Sequence, residues 1–127
     1  MPKLTYACVL TRSIDRLGAF YRAVLQVQPS SRAAYLEFPT QPGIFALWSL
    51  GDFEQAIGQT AAAGPASGSV MLEFEVDDVD AEYARLQNIG DPAIDFVMPP
   101  TSLAWGNRAF YFRDPDGNLI NFFSRVR

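Results

Sequence analysis

One order of elements occurs twice in this chain at matching spacing, and that repeat restricts the available folds more than any other feature. Residues 4–11 (Leu-Thr-Tyr-Ala-Cys-Val-Leu-Thr) predict a buried strand. Ser13 is then placed to cap a helix, with Asp15 favourable to its dipole. Ile14, Leu17, Phe20, Tyr21, Val24 and Leu25 recur at helical spacing as one apolar face. Pro29 and the serines after it end that run. Residues 35–38 and 44–50 predict two strands joined across Pro39-Thr-Gln-Pro-Gly43. The order then returns. Residues 70–76 alternate as a strand, Asp78 is the next cap, and Val79, Tyr83 and Leu86 make an inward stripe, with Gly90 expected to stop the helix. Residues 108–113 and 119–124 predict strands joined by the turn Asp114-Pro-Asp-Gly-Asn118. Tyr6 precedes Ser13 by the interval that separates Met71 from Asp78, and five residues connect the paired strands in both halves.

Two tandem βαβββ modules are the simplest account, giving an α+β chain with curved mixed sheets. The expected organisation is a single domain over 1–127, with module one at 1–50, a plain Gly-, Ala- and Ser-rich linker at 51–68, and module two at 69–127. Neither half alone buries both faces of its sheet, so the modules are expected to pack together or onto another chain.

Composition narrows the function classes. The 127 residues are 49% hydrophobic and 19% charged, as in an ordinary globule. A net charge of −4 offers no basic stripe to displace counterions, which argues against nucleic acid. The single cysteine, Cys8, excludes an internal disulfide and suits a reducing compartment. No basic segment followed by an apolar run opens the chain, and no stretch approaches the roughly 18 apolar residues of a membrane span. The expectation is a cytoplasmic protein without membrane contact. There is also no histidine, the commonest catalytic metal ligand and the usual acid–base group near neutral pH.

Three segments carry a resemblance. Ser13-Ile-Asp-Arg-Leu-Gly-Ala-Phe-Tyr-Arg-Ala-Val-Leu resembles the first helix of the vicinal oxygen chelate superfamily, which includes glyoxalase I, extradiol dioxygenases and bleomycin resistance proteins. Phe74-Glu-Val-Asp-Asp-Val-Asp resembles the start of its second helix, and the run from Trp105 to Phe123 resembles its terminal hairpin. The match spans nearly the whole chain and is weakest over 26–70. The resemblance implies a glyoxalase-like fold in which each module curls its sheet around a cavity, and metal ligands at one position in each of four strands. Those positions fall on Tyr6, Ala46, Met71 and Asn121, with an uncertainty of one residue at Ala46. A protonated phenol, a methyl group, a soft thioether and a neutral amide are poor ligands for a divalent metal. No metal and no cofactor is therefore expected.

Other chemistry is weighed against simpler roles. Cys8 shares a strand face with Tyr6 but has no histidine to activate it, so packing explains it better than nucleophilic catalysis. Asp114, Asp116 and Asn118 suggest a calcium loop only superficially, because Arg125 stands where the closing glutamate belongs. Glu73 and Glu75 share strand parity with Met71 and are candidate cavity carboxylates, weighed against Glu75 at the rim in water and Glu73 paired with Arg108 or another cation. Arg108 is an anion anchor or an ion-pair partner. Trp48 shares parity with Ala46, and Phe123 with Asn121; Trp105 stands at the mouth of the last hairpin, after the long 91–104 connection.

The expected function is metal-free binding of a small aromatic or cationic organic ligand, sequestered as by a bleomycin resistance protein. The candidate ligand-binding residues are Tyr6, Ala46, Trp48, Met71, Glu73, Trp105, Arg108, Phe110, Asn121 and Phe123. No catalytic residue is assigned. The alternative is a metal-independent lyase- or isomerase-like enzyme using Glu73, Tyr6 or Glu37, and a third possibility is an assembly module with a filled interior. Glu73 buried beside a pocket would favour catalysis; Glu73 locked onto Arg108 would favour binding. The resemblance alone implies a homodimer.

Overall fold

In each half of the chain a helix covers one face of a sheet, and strand alternation assigns every side chain to the covered or the open face. A computed structural model describes Met1 and residues 4–58 and 70–125. The chain divides into two compact units, Met1–Ala66 and Ser67–Arg127.

The first unit contains β1 (Tyr6–Thr11), α1 (Ile14–Leu25), β2 (Ser30–Arg32), β3 (Tyr35–Pro39), β4 (Ile44–Ser49) and α2 (Leu50–Ile57). Its sheet order is β1-β4-β3-β2, parallel between β1 and β4 and antiparallel elsewhere. The expected apolar stripe of α1 is the buried one: Leu17, Phe20, Tyr21 and Val24 lie against the sheet with Leu36, Phe38, Phe45 and Leu47. Tyr21 meets Phe38 and Phe45 edge-on. Ser13 occupies the N-cap position but makes no capping side-chain bond; its backbone N–H instead donates to Thr11 Oγ1 at 3.1 Å. At the other end Gln26 takes the left-handed conformation that ends the helix.

The second unit contains β5 (Met71–Glu75), α3 (Val79–Gln87), β6 (Asp95–Ser102), β7 (Asn107–Arg113) and β8 (Leu119–Arg125). Its order, β5-β8-β7-β6, repeats that of the first unit, with β5 and β8 parallel. Asp78 does cap its helix, accepting from the Ala81 N–H at 3.0 Å. The helix ends earlier than expected, with Asn88 as its C-cap and Gly90 two positions beyond. Tyr83 of α3 packs against Phe96 and Phe110, and these join Phe112, Phe122 and Phe74 in an aromatic core.

Further expectations change: the strand expected to be buried at 4–11 is β1, which is exposed at Tyr6, Ala7 and Cys8. The stretch expected to begin a plain linker forms α2, whose Phe53 meets the Trp48 ring edge-on; residues 59–69 lie outside the described ones. The serines after Pro29 form the short edge strand β2 rather than only a stop. Most of the 91–104 connection is the edge strand β6, whose Pro99 and Pro100 fall where the pairing with β7 is interrupted by a register shift between Met98 and Thr101.

The turn between β7 and β8 is organised by Asp114, which is buried. Its Oδ1 accepts from the backbone N–H groups of Asp116 and Asn118, each at 2.9 Å, and its Oδ2 accepts from Asn118 Nδ2 at 2.8 Å. These bonds account for the acidic sequence of the loop as a turn.

Loss of the buried Phe110 ring should destabilise the fold by about 3–5 kcal/mol in Phe110→Ala, the usual cost of emptying a core aromatic site. Loss of the cap in Asp78→Ala should cost only about 1 kcal/mol. Denaturant unfolding of the two variants measures both.

Candidate functional site

The face of the first sheet turned away from α1 collects aromatic and acidic side chains around one small residue. Parallel pairing sets Tyr6 beside Ile44, Cys8 beside Ala46 and Leu10 beside Trp48; antiparallel pairing sets Tyr35 beside Trp48 and Glu37 beside Ala46. Ala46 is fully buried, flanked by Cys8 and Glu37 on its neighbouring strands. The Tyr35 hydroxyl donates to Glu37 Oε2 at 2.7 Å, and its ring meets that of Trp48 edge-on with centroids 5.5 Å apart. Tyr6 is half exposed. Desolvation and the Glu37 carboxylate, as hydrogen-bond acceptor and as charge, push the Tyr35 phenol well above its ordinary range, with smaller contributions from Cys8 and Tyr6. Burial also pushes the Cys8 thiol up. Both groups therefore stay protonated at neutral pH, but Cys8 is exposed, so the packing role expected for it is not what the structure shows.

The equivalent face of the second sheet carries Met71, Glu73 and Glu75 on β5, Asn121 and Phe123 on β8, and Ala109 and Tyr111 on β7. Asn121 is only 3% exposed. Its Nδ2 donates to Glu73 Oε1 at 2.9 Å, while its Oδ1 is buried without a hydrogen-bond partner. Glu73 itself is exposed. Glu75 comes within 3.9 Å of Arg125, an exposed pair of little energetic weight.

Two of the anticipated ligand-binding residues lie on the other face. Phe110 pairs with Phe122 and belongs to the aromatic core beneath α3, because it is out of step with Ala109 and Tyr111 along β7. Arg108 shares that parity and reaches α3, where its Nε and Nη2 each donate to the Asp80 carboxylate at 2.8 Å. That bidentate bond holds the Asp80 carboxyl below its usual range. Glu73 is thus neither buried as a base nor locked onto Arg108; it holds an amide. Trp105 stands in the turn between β6 and β7, 69% exposed. Tyr6, Ala46 and Trp48 share the open face of the first unit, and Met71, Glu73, Asn121 and Phe123 that of the second. Tyr35 and Tyr111 were not singled out from the sequence. Their strands were recognised, so parity with Glu37 and Ala109 could have indicated them.

The side chains presented do not fit the metal that the resemblance implies. Among the described residues, no three of His, Cys, Asp and Glu gather into a possible metal site. Glu73 and Asn121 offer two oxygens where three or four converging donors are needed, and the Asn121 amide N–H already occupies the carboxylate. No helix among the described residues is long and apolar enough to cross a membrane.

Because the folded state holds the Tyr35 proton more tightly than the unfolded chain, this group's contribution to stability is full below the unfolded pKa of about 10 and is lost as pH rises above it. Glu37→Gln should bring the phenol down while leaving it above its ordinary range, since burial persists. Spectrophotometric phenolate titration, with Tyr35→Phe to assign the signal, measures this shift.

Comparison with known proteins agrees with this architecture. A family model described as a glyoxalase-like domain matches residues 4–126. The Bacillus subtilis protein YwbC is 29% identical over 131 residues, covering 97% of this chain and 98% of its own. A bleomycin resistance protein of Geobacillus stearothermophilus is 32% identical over 71 residues, covering 54% of this chain and 50% of that protein. Among solved structures, a glyoxalase/bleomycin resistance protein/dioxygenase from Nocardioides superposes with a TM-score of 0.80 at 27% identity, covering all of this chain and 85% of that one. A glyoxalase-related enzyme from Fulvimarina pelagi, 15% identical, reaches the same TM-score and supports the fold alone. With its two βαβββ units and a family match over nearly its full length, the chain belongs to the glyoxalase-like family of the vicinal oxygen chelate superfamily.

Proposed function

We propose that this protein binds and sequesters a small aromatic or cationic organic molecule, without a metal and without chemical turnover. The observation that carries this reading is the open face of the first unit, where Tyr6, Tyr35 and Trp48 surround the small Ala46 and Glu37 supplies a carboxylate. Aromatic faces attract flat and cationic groups, and an adjacent carboxylate favours the cation. Holding a molecule requires only shape, stacking and a few polar contacts, which these residues can provide.

Catalysis has less support. Tyr35 and Cys8 remain protonated at neutral pH, Glu37 accepts the Tyr35 hydroxyl, and Glu73 accepts the Asn121 amide. The partial likeness to a bleomycin resistance protein is consistent with sequestration. We further propose a homodimer in the cytoplasm. Large apolar side chains, Leu4 and Tyr6 beside or on β1 and Val70 and Met71 at β5, are exposed along a margin of each sheet, and a lone thiol suits a reducing compartment.

Phenyltrimethylammonium, compared with its neutral isostere tert-butylbenzene, tests the reading by calorimetry and tryptophan fluorescence. The cation should bind more tightly. Trp48→Ala and Glu37→Gln should each weaken it about 3–30-fold, the span of a cation–π contact worth about 0.5–2 kcal/mol. Dialysis against a chelator should leave binding unchanged, and sedimentation should give twice the chain mass. Equal binding of both probes by the parent and both variants would refute the assignment of this face.

A further inference from the structure

We infer that Glu73 and Asn121, on the open face of the second unit, form a recognition site for a planar cationic group bearing paired N–H donors, an amidinium or guanidinium. The inference deepens the sequestration reading above and rests on it.

The Asn121 amide can be oriented from its partner. The amide faces the Glu73 carboxylate with Nδ2, which donates to Oε1 at 2.9 Å. This assigns the other end to Oδ1, which is buried and has no donor among the described groups. Leaving a buried acceptor unpaired costs free energy, and an apolar side chain at this position would avoid the cost. Asn121 sits in the middle of β8, between β5 and β7, so it is held by the sheet rather than by a mobile loop.

A group that satisfies this acceptor must bring a hydrogen-bond donor. Asn121 and Glu73 are paired across adjacent strands, which run about 4.8 Å apart. With the amide N–H turned to the carboxylate, an amidinium can direct one N–H to the amide oxygen and another to the Glu73 carboxylate. Negative charge on Glu73 selects the cation over a neutral amide and repels a carboxylate. Tyr111 lies directly across from Asn121 on β7, and Phe123 lies two residues along β8 on the same face, so aromatic surface is at hand for a flat substituent. Arg108 does not neutralise Glu73, because it is held by Asp80 on the opposite face.

Benzamidinium, benzamide and benzoate are suitable probes with the full chain, read by calorimetry and by the side-chain amide NMR signal of Asn121. Benzamidinium should bind, shift that signal and bind at least tenfold more tightly than benzoate. Glu73→Gln, at an exposed position that leaves the core intact, should weaken benzamidinium about tenfold, and Asn121→Leu should weaken it similarly while unfolding at no lower denaturant concentration than the parent. Equal binding of the three probes, or an Asn121 signal unmoved at saturation, would overturn the inference. If phenyltrimethylammonium still depends on Trp48 and Glu37, only the second-unit site has failed; loss of both responses would remove the sequestration reading as well.

Discussion

The register between the parallel strands of each unit decides the fate of nearly every functional side chain. Pairing Cys8 with Ala46, and Glu73 with Asn121, turns those residues to the open faces, while their neighbours Phe45, Phe74, Ile120 and Phe122 turn toward the helices. A slip of one residue would exchange the two sets, turning Tyr6 and Cys8 under α1 and Glu73 and Glu75 under α3 while exposing core aromatics. Such a slip carries a large hydrophobic penalty, so the cores hold the polar residues in register. The glutamates and the amide are displayed because the phenylalanines beside them are buried.

The same frame carries different chemistry in its two halves. At the middle of the central strand, the first unit has Ala46 and the second has Asn121; across from these stand Glu37 and Tyr111. One unit therefore presents a small floor with an acid at its side, and the other a polar floor with a phenol at its side. Among the described residues, neither gathers the three or more His, Cys, Asp or Glu side chains of a metal centre. Family membership fixes the fold of both units, and the positions where the resemblance implies metal ligands carry Tyr6, Ala46, Met71 and Asn121 in this chain.

Much of this was legible in the sequence. Helical periodicity identified the inward stripes of α1 and α3, and the Asp114–Asn118 turn marked the final hairpin. Alternation along β5 placed Glu73 and Met71 on one face correctly. Other features were obscured by competing signals. Pro99 and Pro100 disguised β6 because proline argues against a central strand, and only the sheet order reveals that this strand is at an edge. Phe110 was counted among the ligand-facing aromatics on residue type, although strand alternation from Ala109 and Tyr111 turns it inward. The Asp80–Arg108 pair joins positions far apart in sequence, and charge alone could not select between Asp80 and Glu73 as the partner. Ser13 had the right residue type for a cap, yet Thr11 meets its backbone instead.

The paired prolines in β6 also affect how the second unit meets other chains. Successive strand residues direct their amides to opposite sides, so one of the two prolines removes a donor from the outer margin. The other falls in the break of pairing with β7 between Met98 and Thr101, which distorts that edge as a template for an incoming strand. Growth of the sheet from that side into fibrillar or runaway assemblies is thereby disfavoured. Any continuation of its hydrogen-bonded ladder is left to the far margin at β5, so the prolines give the second sheet one blunted side and one receptive side.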